Sequence, residues 1–262
     1  MATRVLVVSP HLDDAVLSAG GRIHRLASEG AQVTVFTAFA GVPTPPYSPI
    51  AEYFHYVWGL ETDPVEHRRR EDEAALALLG AEPLHGSFLD AVYRRRPDGS
   101  WLVDMDQPAV QGNDVPEPAL GPELETAVAS LLDTLRPDLV LTCAAVGNHL
   151  DHRRARDAVV TAACGKVPLH CWEDLPYGMR EPEAPDLPVG AEFGPAVAET
   201  ASDRAWAAKY AAVECYRSQH SMLWPGDVRV PELFDAHGAL RARTHAAEGR
   251  AELFWPVVPG SA

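Results

Sequence analysis

Residues 5–21 read VLVVSPHLDDAVLSAGG, an apolar run followed by a polar loop and then by small residues. The apolar run Val5–Val8 is typical of a buried strand in a parallel sheet. The small residues after the loop predict the first turns of a helix. The loop therefore places His11, Asp13 and Asp14 at the carboxyl end of a first strand, where open α/β sheets bind their ligands.

Strand-like and helical segments alternate along most of the chain. The predicted strands are 4–8, 32–39, 139–143 and 169–172, and the predicted helices are 15–29, 67–79, 122–135 and 153–163. Alternation of this kind is typical of an α/β fold, here a Rossmann-like, mostly parallel sheet flanked by helices. No internal repeat or linker divides the sequence, so we expect a single domain over residues 1–262.

Two long stretches, 42–64 and 96–122, are rich in proline or polar residues and predict irregular loops. Loops of this length inside a compact domain are usually functional or disordered. The first stretch also contains several aromatic residues, which disfavours simple disorder. We expect it to form a lid or a wall of the active site, and a packed structural loop is the alternative.

Acidic residues outnumber basic ones, 37 against 22, and give the chain a formal net charge of −15. This balance argues against partners such as nucleic acid or anionic membranes, which favour a basic surface. The four cysteines form no CxxC pair, which is typical of thiols in a reducing compartment. No apolar run approaches the length of a transmembrane helix, so we expect a cytoplasmic protein without membrane insertion. The sequence indicates no oligomeric state.

A second polar cluster follows the predicted strand that ends at Cys143. It reads GNHLDH over residues 147–152 and contains His149, Asp151 and His152. If both strands are central in one parallel sheet, the two polar loops meet at the same edge. Imidazoles and carboxylates suit a catalytic zinc ion, which has three protein ligands and one open position, although iron(II), cobalt and nickel accept the same donors. A further carboxylate beside such a site can activate water.

These clusters resemble the signature of the LmbE-like, or PIG-L, superfamily of zinc-dependent N-deacetylases, which remove acetyl groups from N-acetylglucosamine units. The family element P-H-x-D-D matches residues 10–14, and H-x-D-H matches residues 149–152. Two supporting patterns are R-x-x-E-x-x-x-A-x-x-x-L-G at residues 68–80 and K-x-x-A-x-x-x-Y-x-S-Q at residues 209–219. The resemblance covers most of the chain, from residue 5 to about residue 220.

The resemblance implies a role for each matching residue. His11, Asp14 and His152 would bind one Zn²⁺ per chain. Asp13 would be the general base, and His149 would meet the tetrahedral intermediate. The leaving amine must be protonated, either by Asp13 or by a cationic His149.

Three further residues are candidates for supporting roles. Asp151 either orients an imidazole from behind the metal ligands or caps the helix that follows. Arg68 and Asp90 are candidates for binding sugar hydroxyls, because a carboxylate can grip vicinal hydroxyls through charge-assisted bonds. An ion pair between Asp90 and Arg94 is the alternative reading of that segment.

One position departs from part of the family. Some members of thiol pathways have a tyrosine two residues before the first histidine of H-x-D-H, where it helps to hold the oxyanion. Gly147 stands there in this chain. Either the metal and His149 hold the oxyanion, or a donor enters from another loop, for which Tyr177 and His220 are the candidates. The glycine also disfavours a mycothiol-type substrate.

The motifs look most similar to deacetylases that tailor glycosylated natural products, glycopeptide antibiotics among them. We therefore expect hydrolysis of an N-acetyl amide on an amino-sugar-containing small molecule, in antibiotic biosynthesis. An amidase acting on a thiol conjugate or another N-acyl group, and a non-catalytic metal-binding member, are the alternatives. A nucleotide-binding Rossmann protein is disfavoured, because the first loop lacks G-x-G-x-x-G and its carboxylates would repel a pyrophosphate. The sequence does not identify the acceptor or the acyl chain length.

Overall fold

Eight strands form one sheet in the computed structural model of the protein, which describes residues 2–105, 116–180, 184–224 and 229–260. The strands are β1 (Arg4–Ser9), β2 (Gln32–Thr37), β3 (Glu82–His85), β4 (Leu139–Cys143), β5 (Leu169–Trp172), β6 (Ala191–Phe193), β7 (Val197–Thr200) and β8 (Ala251–Pro259). Five of them are parallel, in the order β3-β2-β1-β4-β5. β8 runs antiparallel to β5, and β6 and β7 each pair with β8.

Helices cover both faces of this sheet. They are α1 (Asp14–Ser28), α2 (Pro49–Trp58), α3 (Pro64–Leu79), α4 (Leu120–Leu135), α5 (Leu150–Ala163), α6 (Asp203–Val213), α7 (His220–Leu223) and α8 (Val230–Thr244). Val5 and Val7 pack with α1, α3 and α6 on one face, whereas Leu6 and Val8 pack with α4 and α5 on the other. Burial on both faces explains why β1 is apolar at every position rather than at alternate ones.

The structure confirms the α/β fold class and most of the predicted elements. β4 and β5 have the predicted bounds, and the matching helices differ from the prediction by a few residues at their ends. Among the described residues, no helix is long and apolar enough to cross a bilayer.

The assignment of residues 42–64 as an irregular loop is wrong, because α2 lies inside it. The start of this helix is fixed by Ser48, whose side chain accepts a hydrogen bond from Ala51 N, and by Pro49 at the first helical position. Gly59 ends the helix in the left-handed conformation, with φ of 66°. The other predicted loop, 96–122, contains residues 106–115, which lie outside the described part of the chain.

The strand order places two polar loops next to each other. β1 pairs with β4 in parallel, and Val8 is level with Thr142. Strand order changes direction between these two strands, since β2 and β3 follow on one side and β5 on the other. This is the position at which doubly wound sheets bind ligands, at the carboxyl ends of the strands.

Candidate metal centre and active site

Three predicted ligands meet at the carboxyl edge of the sheet. Asp14 Oδ2 lies 3.3 Å from His11 Nδ1 and 3.2 Å from His152 Nε2. His11 comes from the loop after β1, Asp14 begins α1, and His152 lies in the first turn of α5. All three are buried or nearly so. Two imidazoles and one carboxylate converging on one point fit a borderline divalent cation such as zinc.

The second nitrogen of each histidine faces a carboxylate. Asp151 Oδ2 lies 3.2 Å from His11 Nε2, and Asp174 Oδ1 lies 2.7 Å from His152 Nδ1. A carboxylate can only accept there, so it fixes the ring proton on that nitrogen and leaves the other nitrogen free to bind a metal. In both rings, the free nitrogen is the one that faces Asp14. This arrangement of carboxylate, histidine and open ligand atom is typical of metal sites.

Asp174 was not predicted from the sequence. It follows β5, and its Oδ2 accepts hydrogen bonds from Ala144 N at 3.1 Å and Val146 N at 2.9 Å. The same side chain therefore holds His152 and the backbone between β4 and α5. The signal that could have identified it is a carboxylate directly after a third parallel strand, at the edge where the other ligands gather.

The Asp151 side chain lies inside the protein, in contact with the ring of His11. The N-cap of α5 is His149, so the alternative prediction of Asp151 as the cap is wrong. The Asp151 side chain is fully buried and accepts hydrogen bonds from Ala91 N at 2.9 Å and from Arg94 Nη2 at 2.6 Å. The alternative ion pair with Asp90 is also wrong, because Arg94 donates to Asp151 and Glu117 instead.

Surrounding carboxylates favour positive charge at the ligand atoms. Burial alone would lower the pKa of His152, but Asp14 and Asp174 outweigh it and raise the pKa to about 9. Burial would raise the pKa of Asp14, but His152 and His11 hold it well below its usual range. A bound divalent cation would replace the proton on the ligand nitrogen of each histidine, and the same carboxylates would stabilise its charge.

Asp13 lies beside the three ligands and differs from Asp14 in its environment. Burial and the neighbouring Asp14 carboxylate raise the pKa of Asp13 to about 7, against the opposing pull of Arg68. Arg68 Nη2 is 3.5 Å from Asp13 Oδ2, and the Arg68 guanidinium stacks 4.9 Å from the Trp58 ring centre. A carboxyl group of intermediate pKa can both accept and return a proton near neutral pH.

The environment of His149 favours a neutral imidazole. Burial and the neighbouring His152 and His11 rings lower the pKa of His149 well below its usual value. Its Nδ1 accepts a hydrogen bond from Asp151 N at 3.1 Å, so the remaining proton is on Nε2. The ring borders the cavity beside the ligands. Nε2–H can therefore donate to a bound oxygen, whereas the expectation of a cationic His149 finds no support in this environment.

The ligands form part of the floor of a cavity of about 350 Å³. Asp90 and Arg68, the two predicted hydroxyl-binding residues, both line it. The apolar part of its lining consists of Leu17, Phe54, Trp58, Val92, Val103, Leu175, Pro176, Met222 and Leu223. α2 supplies Phe54 and Trp58, so the segment predicted as a lid or wall contributes to the wall.

Tyr177 occupies the space beside Gly147. A Cβ added to Gly147 would lie 2.6 Å from two Tyr177 ring carbons, so a side chain at residue 147 would displace the tyrosine. The Tyr177 ring also meets His152 edge-on, with centres 5.6 Å apart, and borders the cavity. His220, the other predicted donor, instead contacts the Val213 carbonyl at 3.5 Å.

The two supporting sequence patterns meet in space. Glu71 accepts hydrogen bonds from Ser218 N at 2.9 Å and Ser218 Oγ at 2.6 Å, and Tyr216 donates to Asp72 at 2.7 Å. These contacts join α3 to the segment after α6. They hold Arg68, one turn before Asp72, at the cavity.

Known proteins share this fold and family signature. The family "PIG-L: GlcNAc-PI de-N-acetylase" matches residues 6–163. The 1D-myo-inositol 2-acetamido-2-deoxy-alpha-D-glucopyranoside deacetylase of Corynebacterium efficiens is 29% identical and aligns over 93% of this chain and 79% of its own length. The zinc-inhibited form of teicoplanin deacetylase Orf2 is 40% identical, with a TM-score of 0.90 over 99% of both chains. The A40926 pseudoaglycone deacetylase Dbv21 is 38% identical, with a TM-score of 0.85 over the whole of both chains.

Asp174→Asn should weaken metal binding by about 10–100-fold, because the amide cannot hold the His152 ring as the carboxylate does. The dissociation constant can be measured by competition with a coloured chelator. Asp157→Asn is the matched control, since Asp157 is on the same helix as His152 but pairs with Arg156. Equal metal affinity in the two variants would contradict the role of Asp174.

Proposed function

The chain belongs to the PIG-L family of de-N-acetylases, and we propose that it hydrolyses the N-acetyl amide of an amino-sugar-containing small molecule. The substrate class we propose is a glycosylated natural product, as in the tailoring steps of antibiotic biosynthesis. The observation that carries the proposal is the convergence of His11, Asp14 and His152 on one point of a cavity floor, with Asp13 and His149 beside it.

We propose one Zn²⁺ per chain, held by His11 Nδ1, Asp14 Oδ2 and His152 Nε2. The fixed ring protons of the two histidines support this ligand set. When bound, the ion supplies a Lewis acid that polarises the amide carbonyl and lowers the pKa of water from about 15.7 towards ~7. Other divalent ions accept the same donors, so identification of the native metal needs direct measurement.

Asp13 takes the proton of the attacking water and returns it to the leaving amine. Its pKa of about 7 suits both steps near neutral pH. Burial and the neighbouring His152 and His11 rings lower the pKa of His149, which supports Asp13 rather than a cationic His149 as the proton donor. His149 Nε2–H donates instead to the carbonyl oxygen as negative charge develops on it.

Tyr177 supplies a second donor to that oxygen. Burial and the carboxylates of Asp14 and Asp13 raise the pKa of its phenol, so the hydroxyl keeps its proton at neutral pH. The space left by Gly147 lets the ring reach the cavity from the loop after β5. In this proposal, the hydroxyl of Tyr177 donates a hydrogen bond to the oxyanion.

Asp90 and Arg68 bind the sugar hydroxyls, and the apolar wall receives the rest of the acceptor. The side chain of Asp90 is about one-fifth exposed, and its Oδ2 is 3.6 Å from His11 Nε2, so a sugar held by it lies beside the metal centre. We further propose that residues 1–262 act as one domain, because β1 and β8, near the two ends of the chain, share a sheet. The expected compartment is the cytoplasm, in which four free cysteines are stable.

Metal content and acetate release test this function directly. Protein purified without chelators should contain close to one zinc per chain and release acetate from one member of a graded set of substrates. The set contains free N-acetylglucosamine, its inositol conjugate and an N-acetylglucosaminyl glycopeptide. Release of a longer acid from an N-acyl analogue, but no acetate, would identify an amidase for another acyl group. Protein that binds no metal even after reconstitution would refute the assignment.

Asp13→Ala should lower kcat by about 10²–10⁴-fold, because the proton acceptor is lost, while metal content stays near the wild-type value. His11→Ala, Asp14→Ala and His152→Ala should each lose the metal. Activity and metal content are measured on the same preparations by acetate assay and elemental analysis. Wild-type turnover in Asp13→Ala would show that another group is the base.

Tyr177→Phe should lower kcat by about 10²-fold with unchanged metal content, because only a donor to the oxyanion is removed. Gly147→Ala should cause a loss of the same order by displacing the ring. Tyr53→Phe is the control, since Tyr53 is an exposed residue of α2. If Tyr177→Phe retained wild-type kcat, the phenol would have no part in the reaction.

A further inference from the structure

Arg94 joins the metal centre to the loop segment that follows β3. Its guanidinium donates to Asp151 at 2.6 Å, to Glu117 at 2.7 and 3.1 Å, and to the Leu89 carbonyl at 2.8 Å. The guanidinium also stacks 5.1 Å from the Phe39 ring centre. A planar guanidinium can hold several acceptors in fixed directions at once, which an ammonium group cannot do.

Of the two carboxylates that Arg94 contacts, that of Asp151 has no exposure to solvent. Asp151 is 0% exposed, and its second oxygen accepts from Ala91 N and faces His11 Nε2. Arg94 donates to one of its oxygens at 2.6 Å, and the His11 ring donates to the other at 3.2 Å. Removal of one partner from a buried ion pair leaves an uncompensated charge, so Asp151 depends on Arg94 for both charge balance and orientation.

The same carboxylate therefore has two tasks. One oxygen is held by Arg94, and the other links the ring of His11 to the backbone at Ala91. Asp90, which lines the substrate cavity, immediately precedes Ala91. A shift of the Asp151 carboxylate would move the ring of His11 and the segment that contains Asp90 together.

We propose that Arg94 is a positioning residue that sets metal affinity through Asp151 and couples metal occupancy to the packing of residues 89–94. The inference rests on the proposed metal site. Coupling of this kind is reciprocal, so a bound metal should also stabilise the segment that contains Asp90. Arg94 does not line the substrate cavity, and its link to the metal ligand His11 runs through Asp151.

Metal affinity of Arg94 variants tests the first part of the proposal. Arg94→Met should weaken zinc binding by about 10–100-fold in chelator competition, as expected when the support of a ligand is lost. Arg94→Lys should have an intermediate affinity for zinc, because an ammonium group restores the positive charge but not the planar set of donors of a guanidinium. Arg95→Met is the matched control, since Arg95 is exposed and stacks on Trp101. Wild-type affinity in Arg94→Met would overturn the proposal.

A double-mutant cycle separates positioning from a general contribution to folding. If Arg94 acts through Asp151, Arg94→Met should cause little further loss of zinc affinity when Asp151→Asn is already present. Independent, multiplicative losses would overturn the proposed route. The native chain supplies a further measurement that depends on no substitution. Zinc should slow hydrogen exchange at the Ala91 amide by at least about 10-fold, because that amide donates to Asp151.

The outcomes distinguish this inference from the proposed function. Zinc binding by the wild type, with unchanged exchange at Ala91, would overturn the coupling alone. A wild-type protein that binds no zinc would overturn the metal centre and the coupling with it. Weaker binding in Arg94→Met, together with zinc-dependent protection of Ala91, would support both.

Discussion

The proposed metal centre depends on the parallel pairing of β1 with β4. Their register places the ends of both strands at the same edge of the sheet, so the loops with His11 and His152 face each other. β5 lies next to β4 and adds Asp174 at that edge. Because side chains alternate between the faces of a strand, a shift of β1 by one residue would exchange its two buried faces. The hydrophobic pattern of the strand therefore also holds the catalytic register.

Negative charge is concentrated around this edge and is only partly compensated. Five carboxylates lie at the proposed metal site or next to its histidines, namely Asp13, Asp14, Asp90, Asp151 and Asp174. In the described part of the chain, Arg68 contacts Asp13 and Arg94 contacts Asp151. Buried carboxylates are unfavourable unless they are paired or bind a metal, so the proposed divalent cation would supply positive charge at this edge. The same carboxylates raise the pKa of His152, and burial together with the Asp14 carboxylate raises the pKa of Asp13 to about 7.

The sequence predicted the parts of the fold that local patterns specify. Strand-like runs identified β1, β4 and β5, and the polar segments after β1 and β4 contain the proposed ligands. Asp174 was not predicted although it follows the predicted strand β5, because its role depends on the position of β5 beside β4 in space. An ion pair of Arg94 with Asp90 was an open alternative because the two are close in sequence, whereas Asp151, its partner in the structure, is close only in the folded chain. α2 was not predicted because the prolines of residues 42–64 indicate a loop, although one of them, Pro49, occupies the first helical position.

The floor and the wall of the cavity come from different parts of the fold. The floor contains the residues proposed for metal binding and catalysis, and the wall contains those expected to contact the acceptor. The floor residues are fixed by strand ends and first helical turns, which the core holds rigidly. The wall residues Phe54 and Trp58 come from α2, and Val92 and Val103 come from the segments after β3. These segments lie outside the parallel sheet, so their side chains can change without disturbing the register that positions the ligands. Arg94 is the exception, because it connects the wall segment to Asp151 and hence to His11. Changes in the wall between residues 89 and 94 should therefore alter the metal centre. In α2, Trp58 stacks on Arg68, which contacts Asp13, so a change at Trp58 should affect the proposed base as well as the acceptor.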